Sequence, residues 1–478
     1  MPILSGCASG KTNLPGSTTT GNGTATMTGN TAVSVLATST ANDQLAAFHI
    51  EFTGISLTSR SGKTVNLINS PVTTEFIHLN GEAEPIVSVY IPRDVYTSAT
   101  ITIGTAWFTC INFVPSSGMQ TSTFQDGQVS AGSITSALPT PITVTETSMG
   151  IALNLMVLQS ANFSSCEGGA NTTFAITPTF AITPVTIHSP PTNSGNGLVR
   201  GLDGLISTIG PNGVSFTVAG ADGPKLNGPT WEFSTDAGTV FQGVSSASLL
   251  SADLPVDIDA ALQADGSFLA TRVSVGDTDP LDLNVFSGPV NSVTSSPAVF
   301  SLLGREQQGY LDNSAYYLGA YPINFGRAMF QTSGSMRNLQ TLPFSARFDA
   351  TSVIAGQNLS ITSHVPSWQG SPLPVSTVTL MPQTLNGTVS AISSVGAFTT
   401  YTITLAPYDL FPNLAEQSGQ SNSLYQPDTV IVYADANTQM LNSQPLTIGS
   451  VFRFNGLVFN DHGTLRMDCA QVNDGVPE

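Results

Sequence analysis

Few residues in this chain are spaced for chemistry. The best metal-ligand spacing is Asp277-x-Asp279-x-x-Asp282, where three carboxylates in one loop would offer oxygen ligands to calcium. The glycine and distal glutamate of a full calcium loop are missing, and a solvated linker is the alternative. Four cysteines occur, Cys7, Cys110, Cys166 and Cys469. No C-x-x-C pair is present, so neither a zinc nor a thioredoxin-type site is indicated. A Cys110–Cys166 disulfide would close a loop of 56 residues (166 − 110) and contribute roughly 3–4 kcal/mol; two buried free thiols are the alternative. Cys469 reads as a small buried hydrophobe. His49, His78, His188, His364 and His462 are scattered without metal or base spacing and read as surface residues. No nucleophile elbow and no glycine-rich phosphate loop is found. An enzyme would need clustered acids or a His–acid pair in a cleft. The expectation is therefore no catalytic residue and no cofactor. Tyr310, Tyr316, Tyr317 and Tyr321 are the aromatics that an irregular insert would hold out to a sugar or peptide, with packing as the alternative.

The elements that would position these residues are strands. Only 9% of the 478 residues are charged, against about 25% in ordinary soluble domains. Val, Ile, Thr and Phe recur at period two, and helix-forming runs are missing. The 31 acids outnumber the 13 Lys and Arg residues, giving a formal charge of −18. A nucleic-acid binder needs a basic stripe, so that class is excluded. No apolar run reaches the roughly 18 residues of a spanning helix.

The clearest element is Leu254 to Val275. Val256 and Ile258 alternate with Asp257 and Asp259, Asp265-Gly266 makes a turn, and Phe268, Ala270 and Val273 line the way back. The pattern recurs around Gly370 and around Asp461-His462-Gly463. Opening glycines at 204, 288 and 387 mark three tandem units. The predicted organisation is a flexible tether over 1–28, a β-sandwich over 29–188 and a linker over 189–200. Units follow over 201–280, 281–382 (with an insert at 305–338) and 383–478. Phe174-Ala175-Ile176-Thr177-Pro178 repeats directly as Phe180-Ala181-Ile182-Thr183-Pro184.

Three resemblances add to this. Leu4-Ser5-Gly6-Cys7 resembles a bacterial lipobox, which implies that Cys7 carries a lipid and that the Lys11 to Gly29 stretch is its tether. Gly54-Ile55-Ser56-Leu57 and Pro92-Arg93-Asp94-Val95-Tyr96 resemble the "G-[IV]-x-L" and "P-x-G-x-Y" segments of an uncharacterised lipoprotein domain family; Asp94 stands where that family has glycine. Asp265-Gly266-Ser267-Phe268-Leu269-Ala270-Thr271-Arg272-Val273 resembles the closing "D-G-[ST]-[LF]-x-A-x-x-[VI]" hairpin of a second uncharacterised family. Gly356 and Gly449 fit that family's glycine before the central strand, where the first unit has Asp253. The resemblances imply an all-β chain: an immunoglobulin- or transthyretin-like sandwich followed by three OB-like barrels. The expected role is non-enzymatic adhesion, envelope scaffolding or surface assembly. The expected site is the cell envelope, lipid-anchored on the outside, or secretion. Expected partners are other surface proteins or glycans, with self-assembly as an option and the membrane reached only through the lipid. Alternatives are a carbohydrate- or ligand-capture lipoprotein and a fibre subunit, the latter requiring an unpaired edge strand.

Overall fold

The structure is a computed structural model. It describes residues 28–40, 45–80, 82–110, 124–129, 132–145, 148–161, 174–185, 187, 197–220, 230–275, 284–295, 298–304, 306–309, 320–333, 339–363, 372–405, 409–412, 426–440, 442 and 444–475. Among these the chain is almost all β, and helix is confined to single turns such as Val157–Ser160.

The N-terminal unit is two sheets around one core. The smaller sheet runs, in order, Phe180–Val185, Met149–Leu155, Asn30–Ser39 and Glu84–Pro92. The larger is built on the long pair Leu45–Ser59 and Val95–Cys110. Phe48, Ile50 and Phe52 point into the core, and so do Ile55 and Leu57. That change from even to odd positions follows from the register slip between Phe52 and Gly54, where this strand holds the extra residue; the slip between Ile50 and Phe52 puts its extra residue in Val95–Cys110. A bulge inserts one residue and flips every side chain beyond it. The Phe-Ala-Ile-Thr-Pro repeat places one strand in each sheet. Phe174–Ile176 joins the larger and Phe180–Val185 the smaller, with Phe180 packed against Phe52 and Phe76. The Pro92-to-Tyr96 spacing is also explained. The buried Tyr96 ring sends its hydroxyl back to donate to the Pro92 carbonyl at 2.7 Å. Asp94 is not left-handed, so nothing there demands the family's glycine.

The three C-terminal units share one strand path. In the first, the order is Thr230–Ser234, Ser215–Gly220, Leu198–Ile209, Pro255–Leu262, Phe268–Val275 and Val240–Gln242. The third repeats it with Thr429–Ala434, Phe398–Leu405, Gln383–Val395, Val451–Asp461, Thr464–Asp474 and Gln439–Met440. A parallel contact closes each ring, Phe233 opposite Phe268 and Val430 opposite Leu465. The second unit closes the same way through an interrupted strand, with Leu373–Pro374 parallel to Ala320–Asn324 and Thr377–Leu380 parallel to Met329–Thr332. Its strand Glu306–Gly309 is an addition, paired to Asn284–Ser295.

A common backbone device fixes all three. Ile206, Val290 and Val389 each accept a backbone N–H from Asp253, Gly356 and Gly449 respectively, all at 2.8 Å, and each donates to the residue after it. The accepting strand bulges just beyond this point in every unit. The donor residue has φ of +67° at Asp253, +95° at Gly356 and +89° at Gly449. The first unit thus keeps the left-handed turn without the glycine, because aspartate tolerates that region better than most residues.

The units pack on one another. Gly266, at the tip of the first unit's hairpin (φ +88°), lies so close to the sandwich that a Cβ there would sit 2.7 Å from the Ala32 methyl. Leu36 and Ala83 of the sandwich lie in the first unit's core, and Leu457 and Phe459 of the third lie in the second's.

Candidate functional site: a buried charge cluster where four units meet

Asp257 and Asp259 alternate with Val256 and Ile258 on the strand Pro255–Leu262, so both carboxylates share the face opposite the barrel core. Arg272 stands across the hairpin from Asp259. Its Nε donates to Asp259 Oδ2 at 2.9 Å, and its Nη2 donates to Asp257 Oδ1 at 2.9 Å and to Asp259 Oδ1 at 3.1 Å. Asp259 Oδ1 also accepts the Gly201 N–H at 3.2 Å. From the second unit, the Ser333 hydroxyl donates to Asp257 Oδ2 at 2.5 Å. Burial works against the Arg272 charge, but Asp257 and Asp259 outweigh it and hold the guanidinium protonated beyond its already high range. Burial alone would raise Asp259; Arg272 and Arg200 override it and keep the carboxyl below its usual value.

The sandwich contributes the loop after Val72–Glu75. The Glu75 carboxylate accepts from the N–H groups of Phe48, Ile77 and His78 at 2.7, 2.9 and 2.9 Å, and contacts His78 Nδ1 at 2.9 Å. His78 Nε2 lies 3.7 Å from Glu84. Beside it, burial pushes the enclosed Glu82 carboxyl up to about 7, despite the opposing pull of Arg200.

From the third unit, Asn455 Nδ2 donates to Glu82 Oε1 at 2.6 Å and to Thr384 Oγ1 at 3.0 Å. Arg453 donates through Nε to the Asp474 carbonyl at 3.0 Å and through Nη1 to the Ser39 carbonyl at 3.3 Å. Burial lowers the Arg453 guanidinium to about 10, with Asp474 partly offsetting it.

Between these groups lies a cavity of about 60 Å³ walled by His78, Glu82, Arg200, Asp259, Arg272 and Asn455. That admits a few water molecules, whereas ligand pockets run to roughly 300–1,000 Å³. A His–acid pair is thus present, but its carboxylate is held by three backbone N–H groups. A carboxyl near 7 beside an imidazole can exchange protons with enclosed water. Two guanidiniums facing three carboxylates can lock units together. Among the described residues, no group of three His, Cys, Asp or Glu side chains is placed to hold a metal.

The sequence-predicted sites fall elsewhere. Cys7, Cys166, Asp277, Asp279, Asp282, Tyr310, Tyr316 and Tyr317 lie outside the described residues. Cys110 and Tyr321 have described backbone, in Val95–Cys110 and Ala320–Asn324, but their side chains lie outside the description. Cys469 is buried, its thiol donating to the Gln471 carbonyl at 3.3 Å. The surface assignment of the histidines is corrected for two of them. His49 is 0% exposed, stacked on Trp107 with ring centres 5.6 Å apart, and His78 is at the junction. On the His49 strand the alternating pattern marks a face as polar and packing from elsewhere covers it, whereas His78 lies in the turn after Val72–Glu75 and is covered by the neighbouring units. Sequence reasoning missed Asp257, Asp259 and Arg272 as a site; the signal was the Asp-x-Asp on one hairpin arm with an arginine on the other.

No curated protein matches the chain. Residues 203–274, the first barrel with its Asp257–Asp259–Arg272 fork, match a family described as a domain of unknown function (DUF5666).

Proposed function

We propose that this chain is a non-enzymatic protein of the bacterial cell surface, lipid-anchored or secreted, that acts in adhesion, envelope scaffolding or surface assembly. In this reading the sandwich is immunoglobulin- or transthyretin-like and the three following units are OB-like barrels. The observation that carries it is the junction. The charged side chains best placed for chemistry bind one unit to the next, through Ser333 to Asp257 and Asn455 to Glu82, around a space of about 60 Å³. Four modules joined this way form a stiff spacer, which suits a protein that presents a surface rather than one that turns over a substrate. Low charge and a Gly/Ser/Thr/Asn-rich stretch after Cys7 support placement outside the cytoplasm.

Intact-mass measurement on membrane and soluble fractions of the native host tests this. A chain beginning at Cys7 with added acyl mass, recovered in membranes, is the expected result for the anchored form. A free chain in the culture medium fits the secreted form. An unprocessed chain confined to the cytosol overturns the proposal.

A further inference from the structure

We infer that two copies of this chain pair through the sandwich edge strand Glu84–Pro92, antiparallel about a two-fold axis near Val89. Among the described residues this strand has one strand neighbour, Asn30–Ser39, and lies at the end of its sheet. Trp231 of the first barrel donates its indole N–H to the Pro85 carbonyl, which covers the start of the strand, and Val87 and Ser88 border a groove against the first barrel; among the described residues no strand pairs with the outer side of the run from Val87 to Ile91. An open edge is a template for another strand.

The middle of the edge carries none of the usual guards, which sit at its ends as Glu84, Pro85 and Pro92. Ile86-Val87-Ser88-Val89-Tyr90-Ile91 has no charge, proline or glycine, and the Tyr90 ring is 70% exposed. The barrels close their sheets into rings.

A second copy is the occupant that fits. Val87 and Val89 pack against the sandwich core, while Ser88 faces outward, its hydroxyl 2.7 Å from that of Ser34. Opposed residues of an antiparallel pair share a face. Centring the two-fold on Val89 satisfies this, setting Ser88 opposite Tyr90, Val87 opposite Ile91 and Pro85 opposite Arg93. One like-charge pair, Glu84 opposite Asp94, then faces at each end of the paired strands, and each copy carries −18. Beside that pair, opposite charges approach. Exposed Glu232 shares with Pro85, Ile86, Val87 and Ser88 a groove of about 370 Å³, and the pairing delivers the Arg93 end of the second copy to it. Isologous edge pairing of this kind closes as a dimer.

Sedimentation velocity on the full chain over a range of concentrations, at low and high salt, tests the inference, with hydrogen exchange read on residues 86–91. A dimer is expected. It should strengthen with salt, since screening weakens the repulsion of two acidic bodies, and amides 86–91 should be protected only in the dimer. Tyr90→Lys puts a charge on the edge at an exposed position and should weaken association by about tenfold or more; Tyr90→Thr should leave it intact. A monomer at every concentration overturns the inference, even if a synthetic peptide of sequence IVSVYI binds the edge. A dimer insensitive to Tyr90→Lys, with amides 86–91 unprotected, overturns it as well.

Discussion

The Asn455 side-chain amide of the last barrel donates to the Glu82 carboxylate of the sandwich at 2.6 Å, across 373 positions of sequence. Burial raises that carboxyl to about 7. A carboxyl whose folded value lies above its unfolded one stabilises the fold fully below the unfolded value, and the contribution is lost as pH rises through the folded value. For Glu82 the window runs from about 4.5 to 7. Glu82→Gln keeps an acceptor for Asn455 and removes the titration. It should stabilise the chain on the order of 1–3 kcal/mol at pH 8 and change little at pH 4.5. Urea unfolding at the two pH values checks this; an equal effect at both would sink the assignment.

Arg272 faces two buried carboxylates, so removing it strands them. Arg272→Met should cost about 3–5 kcal/mol, because a broken buried pair leaves uncompensated charge. Asp257→Asn with Asp259→Asn in the same chain should recover part of that loss. Arg272→Lys should recover little, since a single ammonium cannot reproduce the fork. Urea midpoints across the set give the comparison. If Arg272→Met were neutral, the cluster would not be what joins the first barrel to its neighbours.

Gly356 and Gly449 occupy the same left-handed position in successive barrels but differ in surroundings. A Cβ at Gly449 meets nothing within 4 Å, while one at Gly356 would lie 2.4 Å from the Phe411 ring. Gly449→Ala should therefore cost only the backbone term, about 1–2 kcal/mol. Gly356→Ala should cost roughly 1–3 kcal/mol more, from forced repacking. Thermal unfolding midpoints of the two variants separate these contributions, and equal losses would mean that the Phe411 contact yields freely.

These positions also show what could be read from the residues alone. The Asp265-Gly266 hairpin was visible because the turn chemistry and the flanking alternation are both local. The opening glycines Gly204, Gly288 and Gly387 lie inside the bulged strands, each two residues before the residue that receives the left-handed turn. The all-β class followed from period two throughout. The junction was not visible, because alternation says only that Asp257 and Asp259 lie on one polar face. Whether that face meets water or another module depends on contacts such as Asp257 to Ser333, 76 positions away. His49 misled for the same reason.

His49 gives the opposite pH response to Glu82. Both ring nitrogens are buried without a hydrogen-bond partner, and the Trp107 indole N–H and Thr74 hydroxyl nearby are in the same condition. Burial lowers the imidazole to about 4, with Glu75 partly opposing the shift. A histidine depressed on folding is neutral in the folded chain and takes up a proton on unfolding once the pH drops below 6.5. Its contribution is therefore present above 6.5 and lost progressively as pH falls toward 4. His49→Phe keeps the stack on Trp107 opposite it in the sheet and removes both orphan nitrogens. It should raise stability by about 1–3 kcal/mol at neutral pH, the cost of two unmet polar atoms, and by more near pH 4, where the wild-type ring is being driven to charge. In the wild-type chain the Glu82 and His49 effects run against each other between pH 7 and 4.5, so its stability should be nearly level there. Glu82→Gln should expose the falling limb from His49 as acid is added, and His49→Phe the rising limb from Glu82. Parallel pH profiles for the two variants would show that neither residue titrates as the packing requires.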